Sequence, residues 1–323
     1  MSEPTYGTKE YVDDRRNYLG ASDMPMACGR SEYGGPLDLV RLKLGLDTVE
    51  ETHAMKRGHI YEPAIMAEFA VLHPDIQLQE CGTMRHPKGD WLRARPDRIG
   101  ITPYGKAVVE AKLVTPYLMD HYGESGSDQV PDDKLIQVQT QLMVTGLSIG
   151  FCVVNFGFET REFIVERDRE MQEAIYAIGH DLWHDHVLKG VLPDPIPLVD
   201  SMQAIQRTYT LHSDHLVDAD ERVAEMIREF GELKSLAKET EERSDELKAN
   251  LAMAIGRNYG VSLPDGERVI WPETKGRGSV DYKAIVEFMN VPDEVIQQHT
   301  SRGAPYRTMR YYPAKAPKQR KAA

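Results

Sequence analysis

The sequence predicts a mixed α/β core, a central sheet flanked by helices, followed by one long helix and a small α+β appendage. Three observations predict it. Helical spacing alternates with strand-like apolar runs between residues 13 and 200. The proline cluster VLPDPIP then closes that region. Beyond it, apolar residues step by three and four from Val223 to Ala254. With 323 residues the chain can bury a sizeable core, and its length suits one large domain with a smaller one.

Residues 1–12 read as a disordered lead-in. Helical spacing follows in PLDLVRLKLGL and in PAIMAEFAVL, where Ile65, Phe69 and Leu72 share a face. KAVVEAKLV, IGFCVVNFG and REFIVER are strand candidates, the last two separated by a turn-like interval. EMQEAIYAIGHDLWHDHVLKG reads as a helix that stops at Gly190. Residues 201–257 then hold a long acidic helix whose apolar positions form a heptad seam, with polar Thr240 and Ser244 in the middle. Such a seam must be covered, either by the appendage or by another copy of the chain. The appendage, 258–312, offers strand candidates at ERVIWPE and PYRTMRYY and a short helix near DYKAIVEFM. The basic tail, 313–323, lacks apolar periodicity and is expected to be disordered.

Composition excludes several classes. The start MSEPTYGTKEYVDD lacks the regions of a signal peptide, and no run approaches the roughly 20 apolar residues of a membrane span. A cytoplasmic protein without a membrane partner is expected. Cys28, Cys81 and Cys152 form no CxxC pair and cannot supply a four-cysteine cluster, so each is expected to be a buried small apolar residue. The formal charge of −12 argues against a nonspecific basic DNA binder. Yet residues 85–98 carry five basic side chains against two acidic ones, whereas 214–250 carry twelve acidic against six basic. A basic groove on an otherwise repelling surface favours release and sliding.

The chemistry gathers in RPDRIGITPYGKAVVEAKL. Asp97 follows Pro96, and thirteen residues later Glu110 and Lys112 form a Glu-x-Lys pair. In a strand, Val108, Glu110 and Lys112 point one way, and Ala107, Val109, Ala111 and Leu113 the other. The second face packs; the first puts a carboxylate and an ammonium at a cleft. Asp97 brought alongside from a neighbouring strand would make an oxygen-rich place for a hard divalent cation, of which Mg²⁺ is the usual one. Upstream, Glu62 stands where a helix would begin, with Pro63 at its first position. Downstream, DKLIQVQTQLMVTG reads as an amphipathic helix with Gln137 and Gln141 on one face and Leu135, Val138 and Leu142 on another. His180 and His184 have a zinc-compatible spacing but no further ligand, so they read as partly exposed helix residues. Trp91 reads as core.

In order, LGASD (19–23), RGHIYEP (57–63), RARPD (93–97), VEAKL (109–113) and QVQTQLMVTG (137–146) resemble the motifs of phage recombination nucleases of the lambda exonuclease and YqaJ-like type, within the PD-(D/E)xK superfamily. The resemblance spans about 13–190, and more weakly the region after 200. It implies a restriction-endonuclease-like core and a Mg²⁺-dependent exonuclease, with Mn²⁺ as a substitute. Such an enzyme digests duplex DNA ends 5′ to 3′ and leaves a 3′ single strand for an annealing protein; phage origin would place it in the host cytoplasm. By position, Asp97, Glu110 and Glu62 match the metal-binding carboxylates and the carbonyl of Ala111 completes the shell. Lys112 matches the catalytic lysine, and Gln137 the glutamine that positions the nucleophile. Arg15 and Ser22 fall where the family grips the 5′-phosphate. Arg95 stands where that contact is made by a serine. An endonuclease of the same superfamily and a catalytically idle DNA-binding protein are the alternatives; the complete set of site residues weighs against the second.

Overall fold

The computed structural model describes residues 8–49, 51–209, 215–274, 276, 278–300 and 309–312. Two compact units divide between Tyr209 and Thr210. In the first, α1 (Lys9–Arg15) leads into a short strand β1 (Leu19–Gly20), α2 (Met24–Ala27) and α3 (Pro36–Lys43). Then come α4 (His53–Leu72) and strands β2 (Gln77–Gln79), β3 (Met84–His86), β4 (Gly89–Ala94), β5 (Arg98–Thr102) and β6 (Gly105–Leu113). After a 3₁₀ turn, α5 (Asp132–Thr145) precedes the hairpin β7 (Ile149–Asn155) and β8 (Thr160–Glu166). The unit closes with α6 (Arg169–Asp181), a π-helical turn over Leu182–Val187, and α7 (Met202–Thr208).

Five strands form the main sheet in the order β2-β5-β6-β7-β8, in which only β6 and β7 run parallel. A smaller sheet, β1-β4-β3, pairs β1 parallel with β4. Helices cover both faces of the main sheet. On one, Ile65, Met66 and Phe69 of α4 pack against Val109, Ala111 and Val153. On the other, Val138 and Leu142 of α5 pack against Val108, Cys152, Val154 and Phe163. The opposite side of α5 gives Ile136, Met143 and Val144 to a second core with Leu92, Trp91 and Met24. α5 is therefore a central helix between two sheets, and β6 is buried on both faces rather than on one. The mixed sheet flanked by helices is the fold class the sequence predicts.

α4 corrects one expectation. It does not begin at Glu62 with Pro63 in its first turn. It begins at His53, where the Thr52 hydroxyl accepts from Met55 N (3.2 Å), and Pro63 lies inside it. The first half, HAMKRGHIY, is largely exposed and so carries no apolar stripe to betray it. Leu72, placed by spacing with Ile65 and Phe69, is 59% exposed because it is the last residue of the helix, and Met66 fills the face instead. The cysteines divide as well. Cys152 is buried, while Cys28 and Cys81 are only partly so, and Cys81 Sγ donates to Pro96 O (3.1 Å).

The second unit holds α8 (Glu221–Ile255), the hairpin β9 (Gly260–Ser262) and β10 (Arg268–Ile270), α9 (Tyr282–Phe288) and α10 (Asp293–Gln298). The Asp220 carboxylate caps α8 through Val223 N (2.7 Å). Of PYRTMRYY, only 309–312 are described, without strand structure; the tail from 313 lies outside the described residues. Among the described residues no helix is long and apolar enough to cross a membrane.

Candidate active site

The register of β5 against β6 sets the site. Arg98 pairs with Val109, so Asp97, just ahead of β5, continues the ladder opposite Glu110, and its side-chain Oδ2 accepts from the next amide, Ala111 N (2.8 Å). Glu110 lies mid-strand, paired with Cys152 of β7 and almost wholly buried. Lys112, two residues on and on the same face, donates from Nζ to Glu110 Oε1 (2.6 Å). α5 crosses that face. Its Gln137 and Gln141, one turn apart, donate to Glu110 Oε1 (2.5 Å) and Oε2 (2.7 Å). A buried carboxylate left without such donors would be costly, and four side chains of this stretch thus converge on one point.

Electrostatics follow from this crowding. Burial, and then the neighbouring Glu110 carboxylate, push the Asp97 carboxyl up to about 8, with Lys112 opposing and Glu62 adding to the rise. For Lys112, burial works downward, but Glu110 and Asp97 hold the ammonium above its ordinary value. Glu62, on α4, turns its Oε1 to Arg98 Nη1 (3.5 Å). Among the described residues no three His, Cys, Asp or Glu side chains are gathered as a ready cage. The donor set still fits a hard divalent cation. Asp97, Glu110 and Glu62 are oxygen donors, with the Ala111 carbonyl beside Glu110. After burial it is the Glu110 carboxylate, with Glu62 adding, that raises the Asp97 carboxyl, a like-charge crowding that a cation relieves.

A second cluster forms around Arg15 at the end of α1. Its Nη2 donates to Ser22 Oγ (3.2 Å) and Asp23 Oδ1 (2.5 Å). Asp23 Oδ2 accepts from Gly20 N (2.7 Å) and from Lys43 Nζ (2.7 Å), and Lys43 also donates to the Arg15 carbonyl (2.7 Å). A Cβ at Gly20 would stand 2.7 Å from Arg15 Nη1, so a side chain there would push the guanidinium aside. Opposite Gly20 in the β1–β4 ladder, Arg93 lies 4.3 Å from the centroid of the buried Tyr18 ring, with Arg15 and Lys43 each at 5.7 Å. Burial brings the Lys43 ammonium down to about 8 against the pull of Asp23. Arg95 is exposed on the link from β4 towards Asp97.

Thus the fold brings Asp97, Glu110, Lys112 and Gln137 together, sets Glu62 on Arg98, and joins Arg15 to Ser22 elsewhere. Sequence reasoning gave no role to Gln141, Asp23, Lys43 or Arg98. The i,i+4 spacing of Gln141 from Gln137 was the available signal for the first, and LGASD contains Asp23. His180 and His184 stack at 4.0 Å beside Trp91, which is 7% exposed and belongs to the core.

A sheet with helices on both faces, carrying Asp97 and the Glu-x-Lys pair at neighbouring positions, is the arrangement that the resemblance to restriction-endonuclease-like nucleases implies. Residues 10–148 match the YqaJ-like viral recombinase domain, which bears out the resemblance carried by the ordered motifs. The chain is similar to the YqaJ protein of Bacillus subtilis strain 168, at 24% identity over 244 residues, covering 74% of this chain and 75% of that protein. Among solved structures it resembles an alkaline exonuclease, LHK-Exo, from Laribacter hongkongensis, with 21% identity and TM-score 0.44 over 57% of this chain and 97% of that one. A phage-related exonuclease from Haemophilus somnus 129PT shows 11% identity and TM-score 0.41 over 54% and 96%.

Proposed function

We propose that the protein is a divalent-metal-dependent exonuclease of duplex DNA ends, working 5′ to 3′ and leaving a 3′ single strand for a single-strand annealing protein. The observation that carries the reading is the convergence of Asp97, Lys112 and Gln137 about the buried Glu110. Asp97, Glu110 and Glu62, with the carbonyl of Ala111, would hold the cation, Mg²⁺ or in its place Mn²⁺. When bound, such an ion supplies polarisation of the scissile phosphate and a lowered pKa for a bound water. Lys112, kept charged by Glu110 and Asp97, places an ammonium at the open edge of the site, where it orients the attacking oxygen and offsets phosphate charge. Gln137, half-buried beside it, offers its amide to the nucleophile. Glu62 must first leave Arg98 to join the other carboxylates.

End recognition rests on Arg15, Ser22 and Arg95 as the grip on the 5′-phosphate. The Arg15 guanidinium is held by Asp23, which Lys43 fixes in turn, so it is already oriented before a phosphate arrives. The reading is supported by the family match and by the motifs in order. The deciding measurement is digestion of end-labelled linear duplex, with and without a 5′-phosphate, beside closed circular duplex in Mg²⁺. Digestion of linear DNA alone, fastest from phosphorylated 5′ ends, is expected. Nicking of the circle at an equal rate would make it an endonuclease, and no cleavage of either would make it a binding protein.

A further inference from the structure

Two buried glutamines of α5, two residues apart, are satisfied in opposite ways. Gln139, 2% exposed, has both ends of its amide engaged: Nε2 donates to Glu166 O (2.6 Å), and Oε1 accepts from Asp168 N (3.1 Å) and Gln172 Nε2 (3.1 Å). That is what a structural glutamine in a core requires. Gln141, 1% exposed, has a single polar partner for its side chain, Glu110 Oε2 (2.7 Å). Its Oε1 is the one buried side-chain polar atom with no hydrogen-bond partner among the described residues. A buried unmet acceptor is unfavourable, and an apolar side chain of the same shape would remove the penalty. The glutamine therefore carries an unmet acceptor into the core, and its one satisfied contact is with the site.

The two oxygens of Glu110 are also held differently. Oε1 takes Lys112 and Gln137, both partly exposed and on the open side, where an arriving ligand competes with them. Oε2 takes only the buried Gln141, which nothing from solvent can displace. We infer that Gln141 is a positioning residue, fixing the Glu110 carboxylate by its Oε2 so that Oε1 stays presented to the cation when Lys112 and Gln137 turn to the substrate. The inference rests on the reading of Glu110 as a metal ligand. It adds a residue that acts on that ligand from the core side.

The test uses the full-length protein with Mn²⁺ as probe, followed by electron paramagnetic resonance, together with thermal unfolding and steady-state cleavage. Gln141→Met removes the unmet Oε1 but leaves Glu110 Oε2 without its donor, so the metal-free unfolding midpoint should fall no further than in Gln139→Met, while Mn²⁺ binding weakens by about 10–100-fold and kcat drops with little change in KM for DNA. Gln139→Met, the control, should lower the midpoint and leave Mn²⁺ affinity alone. Unchanged Mn²⁺ affinity in Gln141→Met while Glu110→Ala abolishes binding would overturn the inference and leave the site standing. Undiminished binding in Glu110→Ala would overturn the site itself. Should Gln141→Met fail to fold, Gln141→Glu keeps the shape but donates to Glu110 only when protonated. Its activity should then fall with rising pH across a range where the wild type does not fall, and parallel profiles would refute the positioning role.

Discussion

Asp97 carries the sharpest electrostatic signature at the scale of single residues. In the metal-free folded state its carboxyl stays protonated until about pH 8, whereas in an unfolded chain it ionises near pH 4. Between those values the folded state binds the extra proton, so this residue's contribution to stability is present at low pH and is lost as pH rises towards 8. The unfolding midpoint of the metal-free wild type, relative to Asp97→Asn, should fall across that window by roughly 2–4 °C for each kcal/mol lost. A difference that does not vary with pH would contradict the assignment. Mg²⁺ should restore more of the midpoint at the alkaline end, because cation binding requires the ionised carboxylate. Asp97→Ala or Glu110→Ala should abolish Mg²⁺-supported cleavage while leaving most DNA binding, which depends on basic contacts elsewhere; full activity in either would sink the site. Arg15→Ala should slow digestion of phosphorylated ends and narrow their advantage over hydroxyl ends, and an unchanged preference would remove Arg15 from the phosphate grip. Glu110 and Lys112 were legible as a pair because strand alternation is a local rule, and Asp97 because the Pro-Asp spacing to that pair can be counted along the chain. The bonds of Asp23 to Lys43 and of Glu62 to Arg98 were not, because they join segments 20 and 36 residues apart.

At the scale of elements, the site depends on how closely α5 lies on the sheet. Gly150 of β7 allows that approach: a Cβ there would meet Val138 Cγ1 at 2.7 Å and Leu142 Cδ2 at 3.7 Å. Val138 adjoins Gln137, so lifting α5 off β7 also moves the amides away from Glu110. Gly150→Ala should therefore cost about 1–3 kcal/mol in unfolding free energy and depress cleavage beyond what that loss explains. Wild-type stability with wild-type rates would show that α5 has room to spare. The strands β6, β7 and β8 and the helix α5 were readable because each carries its own apolar period over seven or more residues. β1 to β5 were not read as strands. They are short, from two to six residues, and their pairing partners, not their composition, make them strands. The exposed first half of α4 was missed for the complementary reason, since a helix that buries nothing shows no stripe.

For the molecule as a whole, the open question posed by the structure is what covers α8. Its seam runs in two heptad rows: Val223, Phe230, Ala237, Ser244 and Leu251 in one, and Met226, Leu233, Thr240, Leu247 and Ala254 in the other. Phe230 meets the ring of Tyr311 at 6.3 Å, so part of the first row is covered within its own unit. The second row is left more open among the described residues: Met226, Leu233 and Leu247 are 49%, 57% and 45% exposed. Large side chains exposed in register along a 35-residue helix form the kind of apolar stripe that associates with a like surface. Leu233→Glu with Leu247→Glu removes apolar area that contributes little to the single chain, so the unfolding midpoint of a monomer should hardly move. Light scattering on the full-length protein should then give a smaller particle than the wild type. A chain ending at Tyr209 retains Glu62, Asp97, Glu110, Lys112 and Gln137 and should still cleave, while being a monomer like the double variant. An unchanged mass with a lowered midpoint would mean that the row packs within the chain after all. An unchanged mass and midpoint together would mean that the row stands in water and that the heptad pattern has no partner.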